Sequence, residues 1–196
     1  ISINPSRETW PELLRRPLLD VTDLHEQVGK ILSDIRTRGE NSLREYTLRF
    51  DKVQVEQWQI SGEEFDKAGQ TLSKELKDAI QVAAENIRTF HKVQIPEARK
   101  IETTPGVFCW QKAVPIGSVG LYIPGGTAPL FSTVLMLAVP AKLAGCSEIV
   151  LCTPPGKDGS VDPAILYAAR LAGVTQVFRL GGIQAIGAMA YGVVTP

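Results

Sequence analysis

The chain has 196 residues, enough for one large domain or two small ones at roughly 100–200 residues per domain. Its 44% hydrophobic and 21% charged residues are typical of a globular protein. Because 21 Lys and Arg balance 21 Asp and Glu, the formal net charge is zero, which disfavours nucleic acid and anionic membrane surfaces as partners. The sequence contains no run of about 18 apolar residues without a charge or helix breaker, so we predict no membrane span.

The first half of the chain, residues 1–100, is predicted to be mostly helical. Apolar residues at helical spacing predict one helix that ends at Gly39, a second over about residues 41–50, and a long one over about residues 73–93. Ser61 and Glu64 have the spacing of a capping box, which marks the start of a further helix. A short strand is expected just before it, at residues 57–60.

The second half, residues 101–196, alternates short apolar strands with helices. Strands are predicted near residues 107–114, 119–123, 148–152 and 176–180, and helices near residues 130–143, 162–172 and 184–191. This alternation is typical of βαβ units and a parallel sheet. We therefore expect an α/β fold with a boundary near residue 100. Because the chain stops where a further strand is due, we expect the second domain to be truncated at its C-terminus.

Two glycine pairs follow predicted strands, at residues 125–126 and 181–182. Ligands of parallel sheets bind beyond the carboxyl ends of the strands, where glycine lets the backbone approach closely. Simple turn geometry is the alternative explanation for both pairs. Tyr122 and Gln184 stand beside the two turns as candidate ligand contacts, although a strand-end aromatic and a helix cap would have the same spacing. Neither standard phosphate-binding loop is present.

Cysteine and histidine offer little further chemistry. Three cysteines, Cys109, Cys146 and Cys152, are an odd number without a C-x-x-C pair, so we expect reduced thiols in a cytoplasmic protein. The start of the chain has no secretory signal pattern. A cysteine nucleophile, as in an aldehyde dehydrogenase-like enzyme, is an alternative that has no neighbouring histidine to support it. His25 and His91 have no metal-ligand spacing, and we expect neither to belong to a site.

A long motif in the second half resembles the signature of the histidinol dehydrogenase family. It reads SVGLYIPGG over residues 118–126 and APLFSTVLM over residues 128–136. The segment GGIQAI at residues 181–186 follows in the family's order, and RGE at residues 38–40 and FDK at residues 50–52 match the first half. The resemblance thus covers nearly the whole chain.

The resemblance implies an enzyme that oxidises L-histidinol through the aldehyde to L-histidine, the last steps of histidine biosynthesis, with two NAD+ in succession. It also implies a zinc ion that holds the substrate, a Glu-His pair that handles protons, and homodimers built on incomplete Rossmann-like, aldehyde dehydrogenase-like domains. The family's NAD-contacting tyrosine falls on Tyr122 and its NAD-contacting glutamine falls on Gln184.

The family pattern continues past the position of Pro196. A glycine-rich G-P-G-N segment, the zinc ligands, the Glu-His pair and the histidinol-binding residues all belong to that later part. We therefore expect this chain to be the N-terminal part of the enzyme, to hold no catalytic or metal-binding residue, and to lack dehydrogenase activity by itself. A non-catalytic α/β ligand-binding module is the alternative.

Overall fold

The computed structural model describes residues 3–16, 22–126 and 128–196. Within these ranges a short 3-10 turn (Arg7–Thr9) precedes the helices α1 (Trp10–Leu13), α2 (Thr22–Arg38), α3 (Glu40–Phe50), α4 (Gly62–Thr71), α5 (Lys74–Lys92), α6 (Phe131–Leu143), α7 (Pro163–Ala172) and α8 (Gly182–Tyr191). The strands are β1 (Ile101–Thr104), β2 (Val107–Cys109), β3 (Ser118–Tyr122), β4 (Glu148–Thr153) and β5 (Gln176–Arg179). None of the helices in the described ranges has both the length and the apolar character needed to cross a membrane.

The centre of the fold is a three-stranded parallel sheet with the order β3-β4-β5. Tyr122 at the end of β3 is in register with Cys152 of β4, which is in register with Phe178 of β5. Helix α6 joins β3 to β4, helix α7 joins β4 to β5, and the two helices pack against each other on one face. The predicted βαβ units and parallel sheet are confirmed.

Alternating side chains of the strands point into two different hydrophobic cores. Leu151 and Val177 point into a core shared with α4, α5, α6 and α7. Val150, Cys152 and Phe178 point to the opposite face, where α2, α3 and α8 pack. This alternation is the period of two expected of a strand buried on both faces. Both cores combine residues from the two sides of residue 100, and the predicted domain boundary there stays a prediction.

The helices predicted for the first half are present with small shifts in their ends. Gly39, with a φ of +57°, separates α2 from α3 in a backbone conformation that suits glycine. The capping box is formed: the Glu64 amide donates to Ser61 Oγ at 3.3 Å, and the Ser61 amide donates to Glu64 Oε2 at 2.9 Å. These contacts satisfy amide groups that a helix N-terminus otherwise leaves unpaired.

Residues 57–60 run antiparallel to the outer edge of β5 without forming a full strand. Ile60 donates its amide hydrogen to the Val177 carbonyl at 2.9 Å, and Arg179 donates to the Trp58 carbonyl at 2.8 Å. A single bridge pairs Gln59 with Phe178. The predicted strand is therefore reduced to an edge cover, which shields part of β5 from further pairing.

The strand predicted over residues 107–114 is shorter and belongs to a separate hairpin. β2 pairs antiparallel with β1, with Ile101 opposite Cys109, and all seven residues of the two strands are exposed. The prediction missed β1, because its sequence IETT alternates without enough apolar residues to mark a half-buried strand.

Candidate functional site

The structure brings the first and third strand ends together through Tyr122. This residue closes β3, while Gly182 begins α8 directly after β5. The Gly182 amide donates a hydrogen bond to the Tyr122 hydroxyl oxygen at 2.9 Å. Because the carboxyl ends of parallel strands share one edge, this contact spans the loop that follows β4. Tyr122 is only partly buried, so part of the residue remains accessible at this edge.

Gln184 lies in the first turn of α8 with its side chain completely buried. Its Nε2 donates to Asp51 Oδ2 at 3.1 Å, whereas its Oε1 has no hydrogen-bond partner. A methyl group built on Gly182 would lie 2.9 Å from that Oε1 atom. Gln184 therefore sits beneath the glycine turn, and it reaches a ligand only if the turn or the side chain moves.

The four glycines of the two turns differ in what surrounds them and in why glycine fits there. A Cβ on Gly181 would lie 2.9 Å from Pro154 Cβ, and one on Gly125 would lie 3.0 Å from Pro154 Cγ. Gly182 has a φ of +55°, which favours glycine. Packing on Pro154 and turn geometry thus explain three of the four. Only Gly126 has open space around its Cβ position, so its backbone is the one a ligand can approach without a neighbour in the way.

A cleft of about 360 Å³ opens beside Gly126. It is formed by the loop after β3, the loop after β4 and the start of α7. The Asp162 carboxylate at its rim is already engaged, because Oδ1 accepts the Ala164 amide hydrogen at 2.8 Å as the cap of α7. Tyr122 and Gln184 do not line this cleft, and they stand at the opposite side of the same sheet edge.

Asp51 contacts Gln184, although no pattern in the sequence indicates a role for it. It follows the last turn of α3, and Lys52 after it has a φ of +60°, in the left-handed region. Burial raises the pKa of the Asp51 carboxyl, and the hydrogen bond from Gln184 acts in the opposite direction. The FDK motif contains Asp51, but no spacing rule connects a helix end in the first half with α8.

Arg179, at the end of β5, belongs to a structural contact near this edge. Its Nη1 donates to the Gln57 carbonyl at 2.9 Å and to the Gln59 carbonyl at 3.2 Å, and its Nη2 donates to Glu64. The side chain of Arg179 is 10% exposed. Because its donors are taken by protein oxygens, Arg179 is not a free cation for an anionic ligand.

The cysteines are poor candidates for a nucleophile. Cys146 and Cys152 are buried, whereas Cys109 is exposed on the hairpin. Burial raises the pKa of the Cys152 thiol to about 12, so it stays protonated near neutral pH. This environment disfavours the alternative of a cysteine-dependent aldehyde dehydrogenase.

The two histidines lie away from the strand ends. His25 is exposed on α2, and His91 Nδ1 lies 2.8 Å from Gln94 Oε1 at the end of α5. Across residues 3–16, 22–126 and 128–196, no three His, Cys, Asp or Glu side chains are grouped closely enough to hold a metal ion. These residues therefore do not fit a zinc ion.

Fold and site together define an α/β protein with parallel βαβ units and a candidate ligand site at the carboxyl edge of the sheet. The family model described as histidinol dehydrogenase matches residues 14–195, which is nearly the whole chain. The chain belongs to the histidinol dehydrogenase family, and the resemblance noted in the sequence is confirmed.

Individual relatives agree with this assignment. A histidinol dehydrogenase of Bacteroides thetaiotaomicron is 57% identical over 188 residues, which are 96% of this chain and 44% of the relative. One of Xanthomonas campestris is 54% identical over 92% of this chain and 42% of the relative. The crystal structure of histidinol dehydrogenase from Elizabethkingia anophelis superposes with a TM-score of 0.92 at 48% identity, over 98% of this chain and 44% of that one. The chain thus spans less than half the length of these relatives.

Proposed function

We propose that this chain is the N-terminal part of an NAD-dependent histidinol dehydrogenase and carries part of its NAD site. The reaction is the oxidation of L-histidinol through the aldehyde to L-histidine. The family assignment and the names of the relatives support this reaction class. The share of the relatives' length that the chain spans supports its being one part of the enzyme. When bound, NAD+ supplies the oxidant that accepts a hydride from the substrate.

The observation that carries the proposal is the hydrogen bond from the Gly182 amide to the Tyr122 hydroxyl. It places the two segments of the family motif, LYIPGG and GGIQA, side by side at one sheet edge. Tyr122 is partly exposed and can stack on a ligand, and Gly126 offers open backbone on the other side of the same edge. Together with the unpaired Oε1 of buried Gln184, these features fit part of a dinucleotide site.

Within this site each residue has a defined physical task. Tyr122 anchors the first turn of α8 through its hydroxyl and holds the β3 end against the β5 end. Pro154 spaces the three loops, because Gly125 and Gly181 both pack on its ring. Tyr122 and Gln184 are the residues that would hold NAD+, with Gln184 acting from beneath the turn.

The zinc ion implied by the family has no fitting ligand set among the described residues, so no step of the reaction is derived through it. We propose that the zinc ligands, the Glu-His pair and the histidinol-binding residues lie in the later part of the family sequence. We also propose that the whole protein is a cytoplasmic homodimer, as the resemblance implies.

The test is a pair of substitutions in the full-length protein, Tyr122→Ala and Gln184→Ala, with NAD+ affinity measured by calorimetry. Each is expected to weaken NAD+ binding by about tenfold or more, because each removes a contact or its support. Tyr167→Ala is the matched control, since this tyrosine is also partly buried and hydrogen-bonded, to Gln81, but lies on α7.

Unchanged NAD+ affinity in both site variants would show that the site assignment is wrong. Full-length protein that binds NAD+ but produces no NADH from histidinol would favour the non-catalytic binding module instead. Loss of affinity in Tyr167→Ala as large as in Tyr122→Ala would mean that general destabilisation explains both results.

A further inference from the structure

The side chains of Asp51 and Gln184 meet although 133 positions separate them in the sequence. Asp51 follows α3 and Gln184 lies in the first turn of α8. Their contact is a hydrogen bond of ordinary length, with Gln184 Nε2 at 3.1 Å from Asp51 Oδ2. The other carboxylate oxygen, Oδ1, lies 3.0 Å from the position that a Cβ on Gly181 would occupy. Asp51 therefore touches both the glutamine and the glycine turn above it.

This contact determines which way the glutamine amide faces. An ionised carboxylate only accepts hydrogen bonds, whereas a glutamine amide has a donating end and an accepting end. The flipped amide would set Gln184 Oε1 against the Asp51 carboxylate, which is electrostatically unfavourable. Nε2 must therefore face Asp51, and Oε1 must face Gly182.

The Oε1 atom of Gln184 is a hydrogen-bond acceptor that has no donor. It is buried, has no hydrogen-bond partner, and lies beside Gly182, whose own amide hydrogen is given to Tyr122. Buried acceptors are nearly always paired in folded proteins, so an unpaired one at a candidate ligand site needs a reason. A donor group of an arriving ligand would supply the missing hydrogen bond once the Gly181–Gly182 turn moves to admit it.

We propose that Asp51 is a positioning residue of the NAD site, which keeps Gln184 Oε1 turned toward the Gly181–Gly182 turn as a hydrogen-bond acceptor. The cofactor group that Gln184 recognises is then a donor, of the class of a ribose hydroxyl or an amide N–H. This inference rests on the proposed function, because it assumes that Gln184 contributes to NAD+ binding.

Asp51 lies where the chain leaves α3. The chain leaves α3 through Lys52 with a φ of +60°, a conformation that a lysine rarely adopts. The side chain of Asp51, one residue earlier, accepts the hydrogen bond from Gln184. Asp51 is partly buried, which reduces the water that competes for its carboxylate.

The experiment compares Asp51→Asn, Gln184→Glu and the double variant in the full-length enzyme. Asp51→Asn lets the glutamine amide flip, because an asparagine amide can donate to Oε1. Gln184→Glu sets two carboxylates against each other. In the double variant the introduced asparagine amide donates to the introduced glutamate carboxylate, which again leaves an oxygen facing the turn.

KM for NAD+ is expected to rise about tenfold in each single variant and to return to within about threefold of the wild-type value in the double variant, with kcat little changed.

Three controls separate the possible outcomes. Asp78→Asn makes the same change of charge near the start of α5, where Asp78 pairs with Lys74, and should leave KM unchanged. Gln184→Ala reports on the proposed function: if it leaves KM for NAD+ unchanged, the site assignment fails. Thermal unfolding of every variant detects a general loss of stability. Such a loss would not explain a return of KM toward the wild-type value in the double variant.

The inference is overturned if Gln184→Ala raises KM but Asp51→Asn does not, or if the double variant shows no recovery.

A measurement on the wild-type enzyme covers the case in which Asp51→Asn does not fold. Slow hydrogen exchange of the Gln184 side-chain amide, observed by NMR with labelled glutamine, is expected from its burial and its bond to Asp51. Exchange as fast as that of an exposed glutamine would contradict the contact.

Discussion

Arg179 links the early helices to the sheet at the level of single residues. Its guanidinium group holds two carbonyl oxygens of the segment over residues 57–60 and the Glu64 carboxylate at the start of α4. Glu64 is drawn into this contact by its own capping box with Ser61. One buried cation thus fixes the edge cover of β5 and the beginning of a helix together.

The ionisation of Glu64 makes this contact dependent on pH. Burial acts to raise the pKa of Glu64, but the hydrogen bond from the Ser61 amide and the contact with Arg179 outweigh it, and the net pKa lies below its ordinary value of 4.5. A carboxyl with a lowered pKa in the folded state stabilises the fold above its unfolded pKa. That contribution is lost as the pH falls through the lowered value.

We predict that Glu64→Gln lowers the free energy of unfolding at pH 7 by about 1 kcal/mol, a value reduced for the partial exposure of the carboxylate. The difference from the wild type should shrink as the pH falls below 4.5, where the wild-type carboxyl itself becomes protonated. Urea unfolding at several pH values measures it. Glu63→Gln is the control, because its side chain is 84% exposed. A difference for Glu64→Gln that does not vary with pH would contradict this account.

At the level of elements, α8 packs unusually close to its neighbours through glycine. A Cβ on Gly187 would lie 2.8 Å from Ile35 Cδ1 and 3.1 Å from Leu32 Cδ2 of α2. A Cβ on Gly120 of β3 would lie 2.7 Å from Met189 Sδ of α8. These contacts set the position of α8, and the first turn of α8 holds Gln184.

Two glycines inside helices should therefore respond to alanine in opposite ways. Gly187→Ala is expected to lower the free energy of unfolding by about 1–3 kcal/mol, because the buried Ile35 side chain must shift. Gly29→Ala on α2, where no atom lies within 4 Å of the new methyl group, should raise it by about 0.5–1 kcal/mol through helix propensity. Thermal or urea unfolding of the two variants decides the matter. A similar rise in the free energy of unfolding in both variants would mean that α8 can move away from α2 without loss of stability.

On the scale of the whole molecule, the sheet lies between two layers of helices and its carboxyl edge carries the candidate site. The chain spans 44% of the Bacteroides thetaiotaomicron relative. The described residues contribute packing, a glycine turn and hydrogen-bonding groups to that edge, but no metal-binding cluster. A metal-ligand set of the kind proposed for the enzyme is therefore not found among the described residues.

We predict that residues 1–196, expressed alone, produce no NADH from L-histidinol in the presence of zinc and NAD+. The physical reason is that the proposed NAD+ contacts by themselves supply neither a metal to hold the substrate nor a base to accept its proton. Absorbance at the NADH band measures the activity, with the full-length protein as the positive control and circular dichroism as the check that the fragment is folded. Measurable NADH production by the folded fragment would contradict the prediction.

The amino-acid sequence by itself determined the order of the second-half helices and strands and their assembly into a parallel sheet. Apolar spacing and turn residues act over short distances, so these signals survive in a single chain. They also placed Tyr122 and the glycine turn before Gln184 at strand ends, where parallel sheets bind ligands. The β1 strand lacked such a local signal, and residues 57–60 had one that the tertiary contacts reduced to a single bridge.

Only the tertiary structure decided which of these groups meet. The hydrogen bond from Gly182 to Tyr122, the contact of two glycine turns with Pro154, and the pair formed by Asp51 and Gln184 all join distant parts of the chain. The burial of Gln184 was also invisible to spacing, because it depends on the turn that folds over it. The pair formed by Asp51 and Gln184 arises from the packing of α3 and α8 on one face of the sheet, and no local pattern of residues predicts that packing.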